Sequence, residues 1–170
     1  MQAVLYLFVG FPGSGKTTVA QLIAARTGAV HLWADSVRQQ MFDRPTHDRD
    51  ESRQLYDRLN GEADQLVASG RSVIFDTNFN FYDDRQRMRD IASKHGATTK
   101  LIWVTTPVEL ARERAVRQSA DKPTRLFGNM PIADFERLVG NLQPPRPEEA
   151  AIVIDGSQID EDVVCRLLNI

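Results

Sequence analysis

Short apolar runs alternate along the chain with longer stretches whose apolar residues recur every three to four positions. Residues 3–9 are apolar almost throughout and lead straight into a glycine-rich segment. That is the pattern of a strand buried on both faces rather than of a signal peptide. Residues 16–27 carry helical spacing and stop at Gly28. A second short strand is predicted over 30–33, a short helix over 36–42 and a polar connection containing Pro45 over 43–50. Leu55, Leu59, Ala63 and Leu66 put one apolar face on a long helix over 51–69, which Gly70 ends. Val73, Ile74 and Phe75 form the third strand over 72–76, and a helix over 84–94 stops at Gly96. The fourth strand covers 99–104, and Pro107 suits the first turn of a helix running to about Ser119. Residues 120–130 read as a loop and 131–142 as a helix. Pro144, Pro145 and Pro147 then punctuate the chain before a fifth strand over 151–154 and a closing helix over 158–168.

Five apolar runs separated by helices predict an α/β fold, a parallel sheet with helices on both faces. Such sheets bind their ligands at the carboxyl ends of the strands. Gly10, Asp35, Asp76 and Thr105 all fall at or just beyond those ends.

Composition narrows the picture. The length, 170 residues, is that of about one domain, so 1–170 is expected to form one. Lysine and arginine number 21 against 23 acidic residues, a net charge of −2. A generally basic nucleic-acid coat is excluded, while a local basic patch is not. The single cysteine, Cys165, excludes an intrachain disulfide and a cysteine-rich zinc site, and it fits a reducing, cytoplasmic compartment. No apolar run reaches the length of a membrane span, so no membrane partner is expected. His31, His47 and His95 are isolated and lack metal-ligand spacing, and Trp33 and Trp103 fall in strand-like runs as core residues do. Phe79, Phe81 and Tyr82 follow Asp76; they could touch a substrate or pack the start of the next helix.

Gly10-Phe11-Pro12-Gly13-Ser14-Gly15-Lys16-Thr17 matches G-x-x-x-x-G-K-[ST] in full, with Thr18 following. The chemistry requires these residue types. The glycines can turn successive N–H groups inward onto phosphate oxygens, and the helix that follows adds its N-terminal dipole. Lys16 can reach the β- and γ-phosphates of a nucleotide, and the Thr17 hydroxyl can ligate magnesium.

Asp35 and Arg38 follow the second strand. Taken alone, Asp35 reads equally as a helix N-cap and Arg38 as a solvated surface residue. Beside a phosphate loop, Asp35 could accept a proton from an attacking hydroxyl, and Arg38 could hold an anionic group. Asp76 could act as a partner of magnesium, directly or through water, or cap the next segment. Gly156 sits in the turn after strand five, where it allows a close backbone approach or makes a plain turn.

Together, the amino-terminal phosphate loop, Asp35-x-x-Arg38, the strand ending Phe75-Asp76-Thr77-Asn78 and the arginine-bearing helix after Thr106-Pro107 resemble the small P-loop kinases. That group includes polynucleotide 5′-hydroxyl kinase, chloramphenicol phosphotransferase, gluconate kinase and the zeta-toxin kinases. The resemblance implies a P-loop NTPase fold, an adenylate-kinase-like five-stranded parallel sheet ordered 2-3-1-4-5, with a small lid over about residues 110–130. It implies ATP on Gly10, Pro12, Gly13, Ser14, Gly15, Lys16, Thr17 and Thr18, and Mg2+ at Thr17 and Asp76. Asp35 becomes the base facing the acceptor hydroxyl, Arg38 the acceptor ligand, and Arg114 and Arg117 the lid residues that close on the phosphates. Arg112 is expected to stack on adenine, with Gly156 nearby. Residues 110–130 hold five basic and two acidic residues, a patch that otherwise reads as a solvated helix face. The expected activity is magnesium-dependent transfer of the γ-phosphate of ATP to a hydroxyl of a small molecule, or of a nucleoside or nucleic-acid 5′ end. The alternative is an ATP-binding switch or NTP hydrolase whose lid closure controls a partner.

Overall fold

In a computed structural model, residues 2–117, 124 and 126–170 are described. Five strands, β1 (Val4–Val9), β2 (Val30–Trp33), β3 (Val73–Asp76), β4 (Thr98–Thr105) and β5 (Ile152–Asp155), form one sheet in the order β2-β3-β1-β4-β5. Every pairing is parallel, with Leu5 opposite Val73 and Leu101 opposite Leu7. The fold is therefore the P-loop NTPase sheet that the resemblance implies.

Strand β1 sits in the middle, and its alternating side chains feed two cores. Leu5, Leu7 and Val9 join Val73 and Phe75 on one face, covered by Leu55, Leu59 and Ala63 of α3 (Arg49–Ala68) and Met88 of α4 (Tyr82–Lys94). Tyr6 and Phe8 join Ile74, Ile102 and Val104 on the other, covered by Val19 and Ile23 of α1 (Lys16–Thr27) and Val164 of α7 (Glu161–Leu168). A strand with every second residue buried on each side reads as an unbroken apolar run, which is why it was legible.

Several boundaries differ from the sequence expectation. Helix α2 (Ala34–Met41) begins directly off β2, two residues before the predicted start, with Trp33 as its cap and no side-chain cap bond. Asp35 therefore lies inside the first turn and does not cap. Helix α5 (Val108–Arg112) is short and gives way to a π-helical turn over Glu113–Arg117. Helix α6 spans Ile132–Gly140. A 3-10 turn at Pro147–Glu149 was not predicted, and α7 starts late because Asp160 caps it by accepting from the Val163 amide at 2.9 Å. Among the described residues, no helix is long and apolar enough to cross a membrane.

One buried ion pair fastens the proline-rich segment to α4. Arg85 is fully buried on α4 and grips Glu149 with two parallel bonds of 2.7 and 2.8 Å. The same guanidinium donates to the carbonyls of Phe79 and Gln143, and Arg89 donates to that of Glu149. Removing one member of such a pair leaves an uncompensated buried charge. Arg85→Met is expected to lower unfolding free energy by about 3–5 kcal/mol. Adding Glu149→Leu should restore part of that loss, as read by urea denaturation.

Candidate active site

The phosphate loop joins β1 to α1. Gly10, Gly13 and Gly15 all take positive φ, at 151°, 79° and 106°. At Gly13 the need is also spatial, since a Cβ would lie 2.3 Å from the Ala111 carbonyl oxygen. Gly156, on the turn after β5, is used differently. Its φ is ordinary, but a Cβ there would lie 2.0 Å from the Ser14 carbonyl oxygen and 2.3 Å from Thr106 Oγ1. Glycine at 156 is what lets the β5 turn lie against the loop. Thr106 Oγ1, one residue past the strand-end Thr105, donates to the Ser14 carbonyl at 2.9 Å. Pro12 and Ser14 are buried, and Ser14 Oγ is buried without a hydrogen-bond partner.

A cavity of about 320 Å³ opens in front of this loop, bounded by Gly13, Lys16, Thr17, Thr18, Arg114 and Gly156. Its chemistry fits a nucleotide phosphate chain: amide-rich backbone, one amine, hydroxyls and a guanidinium. Lys16 is buried, and its Nζ donates to the carbonyls of Gly10 and Phe11 at 3.0 and 2.7 Å. Burial lowers its pKa to about 8, against the opposing pull of Asp76 and Asp35. Among the described residues no group of three or more His, Cys, Asp or Glu is arranged to hold a metal. Thr17 with one carboxylate suits magnesium, which takes few protein ligands and keeps water and phosphate oxygens.

The carboxylates stand at the ends of the neighbouring strands. Asp76 ends β3, opposite Trp33, and is buried. Its Oδ2 lies 3.0 Å from His31 Nε2. Asp35 projects from the first turn of α2. Burial raises its pKa, the like charge of Asp76 adds to the rise, and His47, Arg38 and Lys16 oppose it. These are conditions that raise a carboxylate's proton affinity, as a general base requires.

The arginines divide. Arg114 lines the cavity and donates to the carbonyls of Gly156, at 2.6 Å, and Ser157, at 3.3 Å. Arg117 does not share its face, contrary to the expectation that both meet the cleft. It pairs with Glu113 at 3.2 Å with its side chain 77% exposed. The wider π-helical turn separates residues three apart that an α-helix would align. Arg112, which is expected to stack on adenine, places its guanidinium over the Phe135 ring at 5.8 Å, with its Nε buried and, among the described residues, without a hydrogen-bond partner. Arg38 is likewise committed, ion-paired to Glu51 inside the protein and bonded to Ser52 Oγ at 3.3 Å. Lys122 and Arg125 lie outside the described residues.

Sequence reasoning missed His31 and Glu51. Nothing in the spacing around His31 pointed to Asp76, because the contact crosses two strands. Glu51 did carry a signal, since Asp48-x-x-Glu51 is a capping pattern, and Asp48 accepts from the Glu51 amide at 2.8 Å. Of the aromatics left open, Phe79 is core, Phe81 is exposed, and Tyr82 is covered by Arg146 at 3.6 Å.

A family model described as an AAA domain (AAA_33) matches residues 5–145, and the chain belongs to that family. Among solved structures, a putative kinase from Chloroflexus aurantiacus is 26% identical with a TM-score of 0.75, over 99% of this chain and 98% of that one. Kti12 of Chaetomium thermophilum, in complex with ADP-AlF3, is 18% identical with a TM-score of 0.76, over 97% and 95%. The APS kinase CysC of Mycobacterium tuberculosis, in complex with AMPPNP and APS, is 15% identical with a TM-score of 0.67, over 99% and 96%. The latter two share the fold. No curated protein matches the chain. The fold is that of the kinases among these solved structures, as the resemblance implies.

Lys16 also makes a thermodynamic statement. The unfolded chain holds the Lys16 proton up to about 10.5 and the folded chain only to about 8. Between those values the unfolded state binds more protons, so stability rises with pH. Below the window the desolvated charge is a constant cost. Relative to Lys16→Met, the ligand-free wild type should gain up to about 3 kcal/mol across the window, read by denaturation at pH values below, inside and above it. An unchanged gap would show that the amine is well solvated.

Proposed function

We propose that the chain transfers the γ-phosphate of ATP to a hydroxyl group. The observation that carries this reading is the buried amine of Lys16 flanked by Asp35 and Asp76 at adjoining strand ends. It supports a phosphate site and an acceptor site that meet along one edge of the sheet.

In this reading the amides from Gly13 to Thr18 cradle the phosphate chain, and Lys16 leaves the loop carbonyls for the β- and γ-phosphate oxygens. Arg114 closes the opposite side. Asp35 accepts the hydroxyl proton as the acceptor oxygen bonds to the γ-phosphorus, the bond to the β-phosphate oxygen breaks, and ADP departs. Asp76 is held in orientation by His31. Magnesium, held through Thr17 and Asp76, would supply charge neutralisation on the phosphates. Most of the catalysis is positioning and electrostatics, so each cation matters by where it stands.

Lys16→Ala should abolish transfer from γ-labelled ATP. Asp35→Asn should cut it by about 10²–10⁴-fold while ATP binding persists. Full activity in either variant contradicts the assignment. The raised pKa of Asp35 places the acid limb of the pH–rate profile above the ordinary carboxylate range. Removing the like charge with Asp76→Asn should move that limb to lower pH, whatever it does to the maximal rate.

A further inference from the structure

We infer that the hydroxyls of Tyr56 and Thr77 bind the acceptor through a second hydroxyl of its own, beside the one that takes the phosphate, so that the acceptor is a diol or polyol. The inference rests on the kinase reading above and names residues that choose its substrate.

The pair stands where that reading needs it. Asp76 is matched in register with Trp33. Thr77 is the next residue after Asp76, and Asp35 lies two beyond Trp33, in the first turn of α2. The ends of two adjoining strands thus deliver Thr77 and Asp35 to one edge of the sheet. Tyr56 comes to the same edge from α3. Leu55 and Leu59 are fully buried and fix that helix on the core. Tyr56 follows Leu55, about 100° further round the helix. It is 37% exposed, and its Oη lies 2.9 Å from Thr77 Oγ1. Burial of the hydroxyl end raises the phenol pKa and the charge of Asp35 adds to the rise, against the bond to Thr77 and the charge of Arg38. The hydroxyl therefore points inward, within electrostatic reach of Asp35, while part of the side chain stays open to solvent.

The chemistry of the pair selects hydroxyls. Tyrosine and threonine each carry one O–H and accepting lone pairs. Their mutual bond spends one of the two protons, and either oxygen can be the donor. The other proton, with lone pairs on both oxygens, is left for a third group. An alcohol matches on both counts, since it accepts that proton and donates its own. Tyrosine suits the task because its rigid ring holds the hydroxyl in place at low entropic cost. A tie between α3 and β3 would not by itself call for a half-open tyrosine, because Leu55 and Leu59 already anchor the helix by burial. The place of the pair at the carboxyl ends of the strands, beside the proposed base, is where such a sheet receives its ligand.

The test compares acceptors that differ by one hydroxyl: glucose and ribose against their singly deoxygenated forms, and 1,2-propanediol against 1-propanol. Transfer from γ-labelled ATP with magnesium is measured for each, in the wild type and in Tyr56→Phe, Thr77→Val and Thr77→Ser. For a labelled polyol, one deoxy form that still takes label is expected to lose kcat/KM by about tenfold or more. Tyr56→Phe should raise KM for the full polyol by about tenfold, leave KM for ATP within about twofold, and cost the deoxy form nothing further. Thr77→Val should behave like Tyr56→Phe, and Thr77→Ser, which keeps the hydroxyl, should restore the wild-type KM. Losses of equal size on the polyol and its deoxy form, in variants whose Tm shows them folded, would make the pair a structural tie and overturn the inference, while the kinase reading stands. Equal transfer to single-hydroxyl and polyhydroxy acceptors would do the same. ATP bound with no label on any acceptor counts against the kinase reading, and the inference falls with it.

Discussion

A lysine amine buried at the end of the central strand must be answered by something, and much of this site follows from that. Lys16 sits where β1, buried on both faces, turns into α1. Its amine is answered first by the loop's own carbonyls, of Gly10 and Phe11, and at longer range by Asp76 at the end of β3 and Asp35 in the first turn of α2. Burial and the like charge of Asp76 in turn raise the pKa of Asp35. The loop is shaped by contacts that leave no room for side chains, at Gly13 against Ala111 and at Gly156 against Ser14. Charge and close packing therefore converge on the same few atoms.

Arginine in this protein is governed by what it is paired with rather than by where it falls in the sequence. Arg85 and Arg38 lie inside the protein and serve as struts, each gripping a glutamate and a second element. Arg114 reaches the cavity because the β5 turn offers it two carbonyls. Arg117, three residues away, points outward because the helix has widened into a π turn. Buried pairs such as these define a unique arrangement more than they add net stability, since desolvation offsets much of their attraction. Here the arrangement they define fixes the start of α3 against α2 and the proline-rich segment against α4.

The fold was largely legible because its central strands are buried on both faces and several of its helices stop at glycines, which gives a strong local signal. The phosphate loop was legible for the same reason, as a contiguous motif with one backbone solution. Asp35 and Asp76 could be placed at strand ends by pattern alone. What the pattern could not carry was partnership across elements. The Arg38–Glu51 and His31–Asp76 contacts join residues 13 and 45 positions apart, and no periodicity encodes them. The start of α2 was misjudged because an acidic residue resembles a cap even when the helix grows directly out of a strand. The π turn at Glu113–Arg117 likewise lacks a sequence mark, so spacing that would align Arg114 and Arg117 on an α-helix misled.

The account stands or falls on Lys16 exchanging its loop carbonyls for nucleotide phosphate. Titration calorimetry of ATP and magnesium into the protein, repeated in buffers of different ionisation enthalpy from neutral pH upward past about 8, reads that exchange directly as protons taken up. An amine with a pKa lowered to about 8 must take up a proton when it meets the phosphates above that pH. The account predicts a binding enthalpy that becomes buffer-dependent, with net proton uptake, as pH climbs through that value. Tight binding with no buffer dependence would contradict it, because the buried amine would then not be the group that receives the phosphates.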